Sequence, residues 1–325
     1  MNHASLTRVD STPDKPLFSI VTPCFNEEAN VEELHKQIAE QMARLPECEY
    51  EHIFIDNAST DATAERVKSI ITADTRVKLI VNTRNFGHIR SPIHGLLQAS
   101  GDAVLLLASD LQDPPELIPQ FIAQWRAGSK VVIGVKPSSR ETMAMFMLRR
   151  LFYLTIGRMS DVPLIPNFTG FGLYDRLVIE HLRKLRDPYP YFRGLIADLG
   201  FAYSAIPFEQ PRRKRGITKN NFYTLYDMAM LGITSYSKLP LRLATMGGFA
   251  LAGVSLLTAL GYLIAKLAYW HSFSLGMAPL IIGFFLFSSV QLFFIGLLGE
   301  YIASIHTHVR QHPHIVEKER VNFKK

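Results

Sequence analysis

The sequence is poor in features that would point to several common protein classes. It has only two cysteines, Cys24 and Cys48, in 325 residues, which excludes a disulfide scaffold. Its hydrophobic fraction of 48% and charged fraction of 20% exclude intrinsic disorder, which requires low hydrophobicity and high charge. Residues 1–16 are polar and lack the apolar core of a signal peptide. The length therefore predicts one large domain with a further element.

Two glycine-rich nucleotide-binding motifs are also missing. No Gly-x-Gly-x-x-Gly follows the first predicted strand, which disfavours a Rossmann dinucleotide site. No Gly-x-x-x-x-Gly-Lys-Ser/Thr occurs, which disfavours a phosphate-binding P-loop. Nucleotide binding by this chain would have to use other residues.

Two long apolar runs lie near the C-terminus, at about 244–268 and 278–302. The first contains one charged residue, Lys266, and the second contains none before Glu300. Each run exceeds the ~20 residues that a helix needs to cross a hydrocarbon core of ~30 Å. We predict two transmembrane helices joined by the short loop Tyr269–Met277; the alternative is a pair of buried core helices.

Charges around these runs predict an orientation. The loop between the runs has no Lys or Arg, whereas basic residues cluster on both outer sides. The positive-inside rule then places both termini in the cytoplasm of a multi-pass protein of the inner (plasma) membrane. Much of the net charge of +6 is contributed by these flanking residues: Arg212, Arg213, Lys214, Arg215, Lys219, Lys238, Arg242, Arg310, Lys318, Arg320, Lys324 and Lys325.

The N-terminal region alternates short apolar strands with helical spacing, which predicts a doubly wound, mostly parallel α/β sheet. Ligands of such sheets bind beyond the carboxyl ends of the strands. Three polar segments that carry carboxylates follow predicted strands and should meet at that edge. They are Pro23–Glu27, Asp56–Asp61 and Ser109–Asp113.

These three segments resemble motifs of the inverting GT-A glycosyltransferases of family 2. A closer resemblance is to the polyprenyl-phosphate glycosyltransferases, which include dolichyl-phosphate mannose synthases and bacterial undecaprenyl-phosphate sugar transferases. It rests on Asp110–Glu116 (Asp-Leu-Gln-Asp-Pro-Pro-Glu), Phe192-Arg193-Gly194, the basic stretch Arg212–Lys219 and the two C-terminal apolar runs. The resemblance implies a GT-A (nucleotide-diphospho-sugar transferase) domain. It also implies sugar transfer from a nucleotide sugar, with a UDP-sugar as the expected donor, to undecaprenyl phosphate at the cytosolic face, for cell-envelope glycan modification.

The same reading divides the chain into five parts. We expect a polar tail (1–16), a cytosolic catalytic domain (17–210), a basic loop with an interfacial helix (211–240), two transmembrane helices (241–307) and a cytosolic basic tail (308–325). Thr142–Met159 and Asn221–Ser237 are apolar and aromatic, which suits helices lying on a membrane surface or, alternatively, ordinary core packing. The resemblance implies a homo-oligomer, for example a tetramer. Nucleic-acid binding is disfavoured because the basic run precedes a predicted span.

The resemblance also implies a divalent cation, Mg²⁺ or Mn²⁺, bound with the donor diphosphate. The first Asp of the family's Asp-x-Asp motif is Ala108 here, so the ligand set departs from the pattern. Asp110 supplies one oxygen ligand, and Gln112 or Asp113 could supply another. The alternatives are a turn or helix-capping role for Asp110 and a solvated amide for Gln112.

Donor contacts are expected where the resemblance places the nucleotide. Pro23, Phe25 and Glu27 would shape the base and ribose pocket. Asp56 would accept the uracil imide N–H, or else form an Asx-turn. Asn85 would approach the nucleotide, or else belong to a plain turn. The predicted nucleotide-sugar residues are Pro23, Phe25, Glu27, Asp56, Asn85, Ser109 and Asp110.

A lipid monophosphate acceptor sets modest chemical demands. Its oxygen is already anionic near neutral pH (second pKa ~6), so it attacks without a strong base. Catalysis then consists of positioning and of stabilising the leaving group. The predicted catalytic residues are Asp110, Arg193 and Asp198, of which Asp198 is a base, an acceptor contact or a surface carboxylate. The predicted phosphate and acceptor residues are Lys136, Arg140, Arg212, Arg215 and Lys219.

Alternatives remain open for the basic run and for the function. The run Arg212–Gly216 is a loop closing on phosphate, a patch on anionic headgroups or a solvated turn. A processive polysaccharide synthase would carry a Gln-x-x-Arg-Trp motif, which Gln124-Trp125-Arg126 does not match. A catalytically degenerate membrane scaffold is suggested only by Ala108.

Overall fold

The computed structural model divides the chain into two compact units. The first comprises residues 1–140, 165–219 and 312–325, and the second comprises 141–164 and 220–311. The structure describes residues 15–136, 165–185, 191–211, 239–269, 277–309 and 315–323.

The first unit has the predicted alternation of strands and helices. Its strands are β1 (Leu17–Cys24), β2 (Glu49–Asp56), β3 (Val77–Asn82), β4 (Ala103–Leu106), β5 (Val131–Val135), β6 (Phe168–Asp175), β7 (Tyr203–Pro207) and β8 (Glu317–Val321). Its helices are α1 (Val31–Ala43), α2 (Thr63–Ala73), α3 (Gly87–Gln98), α4 (Ile118–Arg126), α5 (Arg176–Lys184) and α6 (Phe192–Asp198). The predicted α/β class is confirmed.

Within the described residues, the strands form one mixed sheet in the order β7-β5-β6-β4-β1-β2-β3-β8. The pairs β1–β2, β1–β4, β2–β3 and β5–β7 are parallel. Strand β6 runs antiparallel to β4 and β5, with Leu106 opposite Gly172 and Val135 opposite Phe168. Because β6 is reversed, its first residues lie at the same edge as the carboxyl ends of β4 and β5.

The core lies on both faces of the central strands. Ile20, Val21 and Ile53 are at most 1% exposed, as expected for parallel strands that helices cover on both sides. Helix α1 buries Val31 and Leu34, together with Ile38 and Met42 one and two turns further on, which confirms the predicted apolar face.

At the amino ends of the strands, the buried carboxylate of Glu51 is saturated with hydrogen bonds. It is 4% exposed and accepts from the Ser100 N–H (2.9 Å) and hydroxyl (2.8 Å), from the Ser19 hydroxyl and from the Lys78 ammonium. Burial alone would raise the pKa of Glu51, but the bonds from Lys78, Ser19 and Ser100 lower it overall. This network joins β1, β2 and β3 to the turn before β4.

Strand β8 is an element that the sequence analysis assigned to a basic tail. It pairs antiparallel with β3, with Leu79 opposite Val321 and Val81 opposite Glu319. Its sequence, Glu-Lys-Glu-Arg-Val, has no apolar alternation, because an edge strand with a solvated outer side tolerates charge. That composition explains why hydrophobic pattern did not reveal it.

The second unit contains two long helices, α7 (Leu239–Ala268) and α8 (Met277–Val309), at the positions of the predicted apolar runs. Many of their large apolar side chains are exposed, such as Phe249 (75%), Leu257 (72%) and Phe284 (68%). Among the described residues, no helix satisfies the length and apolarity required to cross a membrane. The helices are confirmed, and the predicted spans are not.

Candidate active site

The carboxyl ends of β1, β2 and β4 lie side by side. Cys24 is opposite Asp56, and the Asn57 N–H donates to the Cys24 carbonyl (2.9 Å). The Leu107 N–H donates to the Val21 carbonyl (3.0 Å), which extends the β1–β4 pairing to the acidic segment. The three segments that the sequence singled out therefore lie at one edge, as predicted.

The loops after β1 and β2 brace each other. The Asn26 N–H donates to the Ser59 hydroxyl (2.9 Å), and the Thr60 N–H donates to the Asn26 side-chain carbonyl (2.8 Å). The Glu27 N–H donates to the Thr63 hydroxyl (2.9 Å). These side chain–backbone bonds fix the loops without regular structure, so their shape is set before any ligand binds.

Backbone strain is concentrated at this edge. Among the described residues, four of the five non-glycine residues with positive φ lie there: Asn26 (56°), Ala58 (61°), Leu111 (58°) and Asn167 (59°). Left-handed backbone is uncommon for residues with a Cβ, and Asn adopts it more readily than Ala or Leu does. Clusters of such residues are typical of functional sites, where surrounding contacts hold a required shape.

Asp56 lies at this edge, but its carboxylate is turned inward. It is 1% exposed and accepts from the Ser59 N–H (3.1 Å) and the Ser59 hydroxyl. Burial raises its pKa, and the two bonds from Ser59 partly offset that effect. The carboxylate thus has a local structural role, although it bonds the N–H three residues on and not the N–H two residues on that an Asx-turn uses; base recognition by Asp56 stays a prediction.

Pro23, Phe25 and Glu27 lie at and just after the end of β1 and are half-buried. The Glu27 carboxylate accepts from the Asn30 side-chain amide (2.6 Å), and its carbonyl accepts the Asn30 N–H (2.9 Å) at the start of α1. The structure thus brings these three residues to the predicted edge, and it gives Glu27 a local structural role as well.

Asn57 is a site residue that the sequence analysis missed. It is 6% exposed, and its amide donates to the Asn85 side-chain carbonyl (2.8 Å). Its own carbonyl accepts from the Phe86 N–H (2.9 Å) and the Asn82 amide (3.1 Å). Asn85 also accepts the Gly87 N–H (2.8 Å) at the start of α3. Asn85, a predicted nucleotide contact, therefore organises the β3–α3 loop. The sequence signal for Asn57 was an Asn directly after β2.

The acidic loop after β4 carries Ser109 (6% exposed), the half-buried Asp110 and Asp113 (9% exposed). Asp113 accepts the Ala108 N–H (3.1 Å), and Asp110 accepts the Gln112 N–H (3.2 Å). Burial raises the pKa of Asp113 to about 6; the Ala108 N–H opposes the shift and the charge of Asp110 adds to it. The loop holds two carboxylates close together at one strand end.

Lys136 lies within electrostatic reach of both carboxylates, and Arg193 lies within electrostatic reach of Lys136. Lys136 follows β5 and donates to the Gln210 side-chain carbonyl (2.6 Å). Burial lowers the pKa of Lys136, against the nearby charges of Asp113 and Asp110. Arg193, in the first turn of α6, donates to the Phe168 carbonyl (3.3 Å) at the start of β6.

His88, in the first turn of α3, also belongs to this edge and was missed from the sequence. Burial lowers its pKa, and the positive charge of Arg193 lowers it further, so the two groups are within electrostatic reach. A lone histidine at the start of a helix gives no distinctive sequence signal.

One predicted catalytic residue, Asp198, is not brought into this group. Asp198 is exposed in the last turn of α6, five residues or roughly 7.5 Å along the helix from Arg193. Gln112 donates its side-chain amide to the Pro211 carbonyl (3.4 Å), next to the predicted basic run. The predicted membrane-surface segments Thr142–Met159 and Asn221–Ser237 and the residues Arg140, Arg212, Arg215 and Lys219 lie outside the described residues.

The available oxygen ligands suit a cation that binds together with a diphosphate better than a cation coordinated by the protein alone. Among the described residues, no group of three or more His, Cys, Asp or Glu side chains is arranged to hold a metal ion. Asp110 is half-buried beside Gln112, which gives one carboxylate and one amide oxygen. Mg²⁺ is usually held by one or two carboxylates together with substrate phosphates and waters, a requirement that this loop meets.

The chain is similar in sequence to several known proteins. A family model described as Glycosyl transferase family 2 matches residues 19–183. The chain is 35% identical over 304 residues to the uncharacterized glycosyltransferase YkcC of Bacillus subtilis (strain 168), covering 93% of each chain. It is 33% identical to the SfII prophage-derived bactoprenol glucosyl transferase of Shigella flexneri, covering 93% of this chain and 97% of that one.

Among solved structures, it is similar to glucosyl-3-phosphoglycerate synthase from Mycobacterium tuberculosis in complex with Mn²⁺, UDP-glucose and phosphoglyceric acid. That likeness has a TM-score of 0.49 at 21% identity and covers 67% of this chain and 78% of that one.

Proposed function

The chain belongs to glycosyl transferase family 2, and from that premise we propose that it transfers a sugar from a nucleotide-sugar donor to a polyprenyl phosphate. Relatives named bactoprenol glucosyl transferase match it over 93% of its length, which favours a polyprenyl acceptor and makes UDP-glucose the first donor to test. The observation that carries the proposal is the meeting of Asp110 and Asp113 with Lys136 and Arg193 at one strand edge. A reaction between two phosphate-bearing substrates needs that mixture of charges.

The donor diphosphate is expected at the acidic loop. Asp110, with Gln112, would hold Mg²⁺ or Mn²⁺ there. The cation would neutralise the negative charge that builds on the departing diphosphate. Arg193 and Lys136 supply positive charge at the same edge of the sheet, and Arg193 has the planar donor fork suited to phosphate oxygens. The braced loops after β1 and β2 keep the nucleotide side of the site rigid.

The acceptor phosphate supplies the nucleophile. One of its anionic oxygens attacks the anomeric carbon from the face opposite the leaving group. The new carbon–oxygen bond forms as the bond to the diphosphate breaks, which inverts the configuration and releases a nucleoside diphosphate. No proton needs to be removed from the acceptor, so this chain's task is to align the two phosphates. This explains why Asp198 need not lie beside Arg193.

Membrane association at the cytosolic face is part of the proposal. Exposed apolar side chains cover α7 and α8, whereas soluble proteins rarely expose apolar patches of more than a few hundred Å². Helices of this kind, inserted in a membrane, would anchor the protein to the membrane that contains its lipid substrate. We also propose that the protein acts as a homo-oligomer, an idea supported only by the family resemblance.

The test is incubation of the full-length protein with undecaprenyl phosphate, MgCl₂ or MnCl₂, and a panel of UDP-, GDP- and dTDP-sugars. Mass spectrometry of the recovered lipid should show one added hexose with a UDP-hexose. Undecaprenol without phosphate is the matched control and should stay unmodified. No product with any donor would contradict the proposal and favour a degenerate scaffold; polymer longer than one sugar would favour a processive synthase.

A further inference from the structure

We propose that the C-terminal clasp, defined as residues 315–323, positions the donor side of the active site. The clasp contains β8 and lies against β3, the loop after β3 and helix α3. The assignment of that loop to the donor rests on the proposed function. The contacts between the clasp and the loop exist whatever the substrate is.

The start of the clasp is bonded to the loop that follows β3. The carbonyl of Val316 accepts both the N–H and the hydroxyl of Thr83, each at 3.0 Å. Thr83 directly follows Asn82, the last residue of β3, and stands two residues before Asn85. The backbone that leads into the predicted nucleotide contact is thus held from outside by the C-terminal segment.

Glu317 ties the clasp to α3. Its carboxylate lies 2.5 Å from the His94 ring nitrogen Nε2, and it also accepts from the Arg320 guanidinium (2.7 Å). Arg320 in turn donates to the Gln98 side chain (2.6 Å) in the last turn of α3. The side chains of Glu317 and His94 are only 18% and 15% exposed, so solvent screens this pair less than a surface ion pair.

The other end of α3 meets the site. Asn85 accepts the N–H of Gly87, the first residue of the helix, and Asn57 donates to both the Asn85 side chain and the Gly87 carbonyl (3.3 Å). Asn57 follows Asp56 at the end of β2. An unbroken series of direct contacts therefore runs from Glu317 through α3 to the loop between β2 and α2. Loss of its outer end would loosen the β3–α3 loop.

The same strand offers a matched control. Glu319 lies two residues from Glu317 and pairs with Lys68 of α2 (2.7 Å). Both side chains of that pair are exposed by about two-fifths, 41% and 43%. Replacing Glu319 removes the same charge from the same strand without touching α3. The far end of the clasp is secured separately, because the Asn322 amide donates to the Thr75 and Val77 carbonyls (2.7 Å each).

The test compares Glu317→Ala with Glu319→Ala in the full-length protein. Hydrogen exchange of residues 83–90 should be at least about ten-fold faster in Glu317→Ala and unchanged in Glu319→Ala. The KM for the nucleotide sugar should rise about ten-fold in Glu317→Ala, with kcat within about two-fold, because the loop is misplaced and the reacting groups are not. Thr83→Val, which removes only the hydroxyl bond, should show the same exchange change on a smaller scale.

Each outcome bears on the proposal. Equal exchange and equal KM in both glutamate variants would overturn it, as would faster exchange throughout the chain, which signals general destabilisation. If Glu317→Ala does not fold, Thr83→Val decides by the same two readouts. If the wild-type protein transfers no sugar, the proposed function fails, and the exchange measurement still decides whether the clasp holds the loop.

Discussion

The pKa of a buried carboxylate is shifted in opposite directions at the two ends of the central strands. At the amino end, Glu51 is 4% exposed and accepts from three neighbouring residues, so its pKa is lowered. At the carboxyl end, Asp113 is 9% exposed and accepts one backbone N–H, and burial raises its pKa to about 6. Both carboxylates are buried, but Glu51 accepts from several donors, including the charged Lys78 ammonium, whereas Asp113 accepts one N–H and lies near the charge of Asp110. One end is built for stability, and the other keeps a buried carboxylate with few hydrogen-bond donors at the edge of the proposed site.

The backbone shows the same contrast. Positive φ angles at Ala58 and Leu111 occur after β2 and β4, in loops that carry the predicted chemistry. Such strained positions persist only where surrounding contacts enforce them, and they are a recognised cost of function. The difference predicts that mutations at the carboxyl end mainly change activity, whereas mutations at the amino end mainly change stability.

The largest effect is expected from Asp110→Ala. Loss of the half-buried carboxylate removes the proposed cation ligand, and sugar transfer should fall by at least about 100-fold. The melting temperature should stay near that of the wild type, because a substitution in a partly exposed loop changes stability by about 0.5 kcal/mol or less. The check is an initial-rate assay with calorimetry on the same sample. Unchanged transfer would remove Asp110 from the site.

The next largest effect is on stability at the amino end. Glu51→Gln leaves Lys78 without its charged partner and should reduce the free energy of unfolding by about 2–4 kcal/mol. Urea denaturation above pH 6 measures this loss of stability. The pKa of Glu51 is lowered in the folded state, so the stabilisation by its carboxylate is lost as the pH falls through the folded-state pKa. Glu49→Gln, exposed on the same strand, is the control and should be neutral. Equal stability of both variants would contradict the role given to the network.

The opposite sign is expected at the carboxyl end. Asp113→Asn keeps an acceptor for the Ala108 N–H and removes a charge that is costly to bury, so the protein should gain about 1–2 kcal/mol at pH 7.5. The Asp113 carboxyl has a folded-state pKa of about 6, which is higher than its pKa in the unfolded chain. The protonated carboxyl therefore contributes its full stability below about pH 4, and that stability is lost as the pH rises through 6. The gain should therefore vanish near pH 4. Denaturation at the two pH values is the test, and a loss of stability at pH 7.5 would contradict it.

The smallest effect concerns a buried polar chain between the two ends. The Nδ1 atoms of His35 and His52 are 3.1 Å apart, and the Nε2 atom of His52 lies 2.9 Å from the Thr22 hydroxyl. Burial lowers the pKa of both rings, so the unfolded chain takes up protons first and stability should decline as the pH falls below about 6.5. His35→Gln should flatten that decline by about 1 kcal/mol between pH 7.5 and 5.5. Thermal melts at both pH values measure it, and an unchanged slope would exclude the histidine pair as its source.

The sequence predicted the α/β sheet and the edge at which its polar segments meet, because apolar strands and the carboxylates after them are local patterns. It left Asp56 open between base recognition and a local turn, and it did not predict the bridging role of Asn57, which depends on contacts with residues 82–87, distant in the chain. It also missed β8, because five mostly charged residues pair with β3 through the backbone. Hydrophobic periodicity carries no information on that pairing.

The central claim, that chemistry resides at the carboxyl end and stability at the amino end, is tested most directly by one paired rate measurement. Transfer of sugar to polyprenyl phosphate would be measured per folded molecule for Glu51→Gln and Asp113→Asn, at a temperature where both are folded. We expect the less stable Glu51→Gln to transfer sugar at the wild-type rate and the more stable Asp113→Asn to transfer it about ten-fold more slowly. A slow Glu51→Gln, or an Asp113→Asn that transfers at the wild-type rate, would contradict it.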